Sequence, residues 1–161
     1  MLFRSERRTR ASAIHPYAPR AFDHGLGRSL WFSQCADPEK ISKMIMAFDL
    51  HRQPDLWSGV GLACGYAGAL PENGLRLLLR ASGEFSPQLA QGVAFAAKAR
   101  QRAANLMPFT ERACQIICGM SADEAAQLTD EALENLSGDV PYETWRCRIQ
   151  QRFTQPKDMK L

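Results

Sequence analysis

Four prolines set the frame for this chain. Pro38, Pro54, Pro71 and Pro87 fall 16, 17 and 16 residues apart, each just ahead of an apolar stretch of helical spacing. Proline suits the first turn of a helix, where its missing N–H has no partner to lose, and it breaks a helix interior. An even ladder of prolines therefore predicts an even series of helix starts. Alternate rungs stand 33 residues apart, and sequence similarity follows them: Leu56, Gly59, Val60 and Ala63 recur as Leu89, Gly92, Val93 and Ala96, and Pro38-Glu39 recurs as Pro71-Glu72. Such a period is the mark of stacked helical hairpins.

Composition agrees. The 161 residues have the length of one domain, and 45% of them are apolar, enough for a core. Valine occurs only at 60, 93 and 140, against abundant alanine and leucine, a bias toward helix and away from strand. The expected fold is all-α, with seven or eight helices in antiparallel hairpins of tetratricopeptide or α-solenoid type. Trp57, Val60 and Gly61 fit the opening of the tetratricopeptide repeat, and the later alanine and aromatic positions fit it poorly. No apolar run is long enough to span a bilayer and no signal-peptide pattern is present, so the expected location is the cytoplasm, without membrane attachment.

Charge divides the chain. Residues 1–20 hold Arg4, Arg7, Arg8, Arg10 and Arg20 against Glu6 alone, while the remainder is close to neutral. The expected organisation is a flexible basic arm at 1–20, a helical domain at 21–154 and a frayed tail at 155–161. An arginine-rich arm can touch nucleic-acid phosphates, but Tyr17 is the one aromatic residue interleaved among its arginines and no recognition fold follows, so nucleic-acid contact is the weakest of the functional readings.

Helix boundaries are legible in several places. Asp37 ahead of Pro38 and Glu39 reads as an N-cap with an acid in the first turn, and Ser121 with Glu124 reads as a capping box. Ser86 reads as the cap of the helix opened by Pro87. The helix after Pro54 contains Gly59, Gly61 and Gly65, each costing about 1 kcal/mol relative to alanine in an isolated helix. Close approach of a helix or a ligand is the simplest offset. Trp57 and Tyr66, two and a half turns apart, fall on opposite sides of that helix. Gly25 and Gly27 weaken any helix across residues 21–32.

Motifs of established catalysis are missing: no phosphate-binding GxxxxGK[ST], no GxSxG elbow, no HExxH. The densest polar cluster is Asp23, His24 and Arg28 beside Trp31 and Phe32, where a carboxylate could orient an imidazole as general base. These three are the catalytic candidates, set against capping or surface roles. Gln91 and Arg100 belong to the exposed side of the fourth helix in this reading. The five cysteines include Cys114 and Cys118 on one helix face, but no CxxC pair or histidine cluster accompanies them. Buried reduced thiols are expected, with no metal and no cofactor.

A resemblance adds context. The run Phe22-Asp23-His24-Gly25-Leu26-Gly27-Arg28-Ser29-Leu30-Trp31-Phe32, then Asp55-Leu56-Trp57-Ser58-Gly59-Val60-Gly61-Leu62-Ala63 with Tyr66-Ala67-Gly68, Leu89-Ala90-Gln91-Gly92 with Phe95-Ala96, and Tyr142-Glu143-x-Trp145-Arg146 resemble the C-terminal half of a bacterial family of unknown function from enediyne antibiotic gene clusters. The resemblance picks out Asp23, Gly27, Arg28, Trp31, Trp57, Gly61, Tyr66, Gln91, Trp145 and Arg146. Together with the glycine-lined second helix and the basic fourth helix, it implies an accessory or binding protein of a natural-product locus. Arg28, Trp31, Trp57, Gly61, Tyr66, Gln91 and Arg100 are then the candidate binding residues for a partner protein or an apolar polyketide-like intermediate. The alternative is an enzyme using Asp23, His24 and Arg28 on such an intermediate. Loss of a preceding half would leave an apolar flank exposed, and with it a possible homodimer.

Overall fold

A computed structural model describes residues 15–138 and 140–154. Helix follows helix throughout them: α1 (Ala18–Ser33), α2 (Pro38–Met46), α3 (Gln53–Ala67), α4 (Glu72–Ser82), α5 (Ser86–Arg102), α6 (Pro108–Ala113), α7 (Ala122–Glu131) and α8 (Pro141–Thr154). No strand occurs among the described residues. Every rung of the proline ladder lies within one residue of a helix start, and Pro108 and Pro141 are themselves first residues. Asp37 accepts from the amides of Glu39 and Lys40 at 3.0 and 3.1 Å, and Ser121 and Glu124 close their capping box. These are the end groups that the helix backbone leaves orphaned.

Alternate helices pack on one another more extensively than consecutive ones. α3 lies between α1 and α5, and α5 in turn carries α7 and α8, while α2, α4 and the turn Cys114–Cys118 form a second, lighter row. Contacts 58–91, 61–92 and 65–96 advance together along α3 and α5, so the two helices run in the same sense. The core follows this stacking: Leu56, Trp57, Val60 and Cys64 of α3 meet Leu89, Val93 and Ala97 of α5, with Leu30 and Trp31 of α1 on one flank and Ile149 of α8 on the other.

The glycines explain the closeness. A Cβ at Gly59 would fall inside contact distance of the His24 carbonyl, one at Gly61 would meet that of Leu89, and one at Gly92 that of Ser58. Backbones this near each other gain weak Cα–H···O contacts as well as dispersion. The offset for glycine's poor helix propensity is therefore a neighbouring helix. Gly27 does the same against Leu56, so residues 18–33 form a full helix where the two glycines had argued for a weak one.

Two boundaries differ from expectation, and one turn departs from the α-helix. Ser86 does not cap α5: a single turn of 3₁₀ helix, Gly83–Phe85, runs straight into it, and Ser86 is already its first residue. Cys114–Cys118 is a π-helical turn, ended by Gly119 in the left-handed conformation at φ 69°. At the other end, α1 opens at Ala18, and Tyr17 and Arg20 bond into the body. The helical unit thus begins before residue 21, and the rest of the expected arm, 1–14, lies outside the described residues, as does the tail 155–161.

Candidate functional site

Asp55 enters the fold in the first turn of α3, where the helix N-terminus favours an anion. It is 1% exposed. Its Oδ2 accepts from Arg20 Nε at 2.9 Å, and its Oδ1 lies 2.7 Å from Nη1 of Arg146, a guanidinium also 1% exposed. Glu143 completes a charge-balanced set, 2.8 Å from Arg20 Nη1 and 3.2 Å from Arg146 Nη1. Tyr17 joins Glu143 to the second arginine: its hydroxyl donates to Glu143 Oε2 at 2.8 Å and accepts from Arg146 at 2.7 Å. Burial pushes the Tyr17 hydroxyl up to about 12, against the opposing pull of Arg146.

Behind the ion pairs sits an uncharged layer. Gln91, fully buried, accepts at Oε1 from Ser58 Oγ at 2.8 Å, Arg146 Nε at 3.2 Å and Gln150 Nε2 at 3.2 Å. Its own Nε2, Arg146 Nη2 and His24 Nε2 are buried without a protein partner. His24 is held neutral: burial and the Arg146 charge lower it to about 4, with Asp55 acting the other way and Arg28 adding to the fall. Burial works to lower Arg146 as well, yet Asp55 and Tyr17 outweigh it and the net shift is upward. Both arginines stay charged.

Toward solvent the same elements frame a cleft of about 270 Å³, lined by Pro19, Arg20, Phe22 and Asp23 of α1 and by His51, Arg52 and Asp55 at the entry to α3. Asp23 is buried and gripped by Arg52, whose Nε lies 3.0 Å from Oδ2, and the guanidinium rests 4.8 Å from the Phe48 ring centre. Two acid–arginine pairs thus form the polar wall, and Pro19 with the exposed ring of Phe22 forms the apolar one.

The structure scatters the residues singled out from sequence. Asp23 lies in the cleft, His24 beside the buried network, and Arg28 is exposed on α1. Trp31 and Trp57 are core residues, each 2% exposed, and Gly61 is a backbone contact of α5. Tyr66 is half-exposed on the opposite side of α3 from Trp57, as the spacing required. Arg100 stacks on Tyr66 at 4.1 Å from the ring centre and donates to its carbonyl, closing the end of α3 as a basic residue can. Gln91 is not on the exposed face of α5: it is the hub that meets Arg146.

Asp55, Ser58, Arg52, Arg20, Tyr17 and Glu143 escaped the sequence reading. A signal for Asp55 was present. Asp23 stands four residues before Gly27 and Asp55 four before Gly59, so extending the repeat one helix toward the N-terminus would have aligned them. The long-range partners Tyr17 and Glu143, 126 residues apart, left no such trace. Cys64, Cys114 and Cys118 are buried and free as expected, whereas Cys35 is exposed and Cys147 only partly buried; burial raises the Cys64 and Cys118 thiols, which keeps them protonated and unreactive. Among the described residues no group of three or more His, Cys, Asp or Glu side chains is placed to hold a metal, and no helix is long and apolar enough to cross a membrane.

No curated protein and no solved structure matches this chain. A family model does, over residues 4–153, a span that takes in most of the basic N-terminal segment together with the cleft and the buried network. The chain therefore belongs to the family described as "Protein of unknown function (DUF1702)".

Proposed function

We propose that this protein is a binding module that holds a ligand or a partner's side chain in the cleft between α1 and the start of α3, as an accessory protein of a natural-product locus of enediyne or polyketide type. The observation that carries the binding reading is the cleft itself: Arg52–Asp23 and Arg20–Asp55 on one wall, Phe22 and Pro19 on the other. Such a surface suits an amphiphilic occupant, with a polar head against the ion pairs and an apolar body against the ring. The natural-product context rests on the resembling sequence stretches alone.

Binding is favoured over catalysis because every acid in the cleft is already engaged. Asp23 and Asp55 are held by arginines, and His24 titrates near 4, too low for an efficient general base at neutral pH. Calorimetric titration with medium-chain polyene carboxylic acids tests the reading. Wild type should bind and Arg52→Ala and Phe22→Ala should each weaken binding about tenfold, the loss of one good polar or apolar contact. No heat for any such acid, together with no loss on either substitution for whatever ligand is found, would remove the cleft from consideration.

A further inference from the structure

The α1–α3 and α3–α5 crossings use one self-complementary device. At the first, Gly27 lies on the Leu56 carbonyl and Gly59 returns the contact on that of His24; at the second, Gly61 lies on Leu89 and Gly92 on Ser58. His24–Gly27, Leu56–Gly59, Ser58–Gly61 and Leu89–Gly92 all share the spacing i, i+3. Each helix thus offers a carbonyl and, one turn later, a glycine, and two such halves fit each other.

α3 carries two halves offset by two residues, Leu56–Gly59 toward α1 and Ser58–Gly61 toward α5. α1 spends His24–Gly27 on α3. Two residues earlier it carries another half, Phe22–Gly25, on the side away from α3. There Gly25 is exposed, and a Cβ built on it would meet nothing within 4 Å. Phe22, Gly25, Ser29 and Phe32 form an uncharged stripe of helical spacing around it, with Phe22 66% and Phe32 61% exposed. At the inner crossings the glycines are flanked by buried apolar side chains, Leu56, Val60, Leu89 and Val93, whereas here the flanking rings stand in water.

We propose that this outer face of α1 docks against the same face of a second copy of the chain, the two α1 helices crossing at Gly25 about a two-fold axis. The occupant follows from the device. The row α5–α3–α1 is an established interface that continues at this face, and the next position in it calls for a helix bearing a carbonyl–glycine half. A copy of α1 supplies one, and a two-fold axis sets each Gly25 on the Phe22 carbonyl of the other chain, the isologous contact that closes a dimer. Phe22 and Phe32 then leave water on both chains, and burial of apolar area supplies the driving force. Phe22 also lines the cleft, so Gly25 and Phe32, which do not, carry the test.

Sedimentation velocity of the full chain over a concentration series is the test. Wild type should pass from monomer to dimer as concentration rises. Gly25→Leu blocks the backbone approach and Phe32→Glu sets like charges on the facing stripes, so each should weaken association about tenfold or more. A Cβ at Gly25 meets nothing within 4 Å and Phe32 is mostly exposed in the single chain, so circular dichroism and melting of dilute protein should confirm an intact fold. A wild type that stays monomeric at every concentration overturns the proposal, and so does a dimer indifferent to both substitutions.

Discussion

His24 makes the clearest residue-level prediction. Its folded-state value of about 4 lies below the ordinary 6.5 of the unfolded chain, because the fold buries the ring near Arg146. Between those values the unfolded chain takes up a proton that the folded one refuses. Stability is therefore complete above about pH 6.5, falls as pH drops through the window, and reaches its low plateau below about 4. Urea unfolding at pH 7 and pH 4.5 should show wild type losing more stability than His24→Gln; identical losses would mean the ring is not held neutral. Asp55 and Arg146 give a second test. Removing one partner of a buried pair leaves the other uncompensated, so Asp55→Asn and Arg146→Met should each cost about 3–5 kcal/mol by chemical denaturation. The double variant should cost clearly less than the sum, and additivity would show that the two charges do not depend on each other.

At the scale of the helix, the glycines divide sharply by what faces them. Gly59→Ala and Gly61→Ala each drive a methyl into a neighbouring carbonyl and should destabilise by about 1–3 kcal/mol, the usual cost of overpacking. Gly25→Ala meets open space and should stabilise dilute protein by about 0.5–1 kcal/mol through helix propensity. If all three variants shift the unfolding midpoint alike, the glycines are not serving as contact points. Helix starts were readable because capping is local: Pro38, Asp37, Ser121 and Glu124 act within one turn of the backbone they serve. Ser86 misled for the same local reason, since Gly83–Phe85 already supplies the preceding turn. α1 was underestimated because propensity alone weighs Gly25 and Gly27 as losses, whereas packing makes Gly27 a gain.

Across the whole molecule, α8 fastens the ends of the chain together. Its Glu143 and Arg146 bond Tyr17 and Arg20 at the start of α1, its Trp145 stacks on Phe95 at 4.6 Å between ring centres, and the indole donates to the Thr129 carbonyl at 2.7 Å. A chain ended after residue 140 would leave Asp55 and Gln91 without Arg146 and would uncover Phe95. We expect it to bind a hydrophobic dye and to unfold with a shallower denaturant slope than the full chain; an unchanged slope would show that α8 is an appendage.

What one chain's letters determined by themselves was the succession of helices. Proline, capping side chains and the spacing of leucine, alanine and valine act over a turn or two, and that range is what a linear reading can weigh. Gln91 and Arg146, 55 residues apart, and the reciprocal glycine contacts belong to another range. Only the tertiary structure decided that Gln91 turns inward to a buried arginine, that Asp55 and Asp23 share a cleft, and that one of the glycines on α1 still faces nothing. The physical reason is that a polar or backbone group declares its role through whatever desolvates it, and here that neighbour comes from a different helix each time.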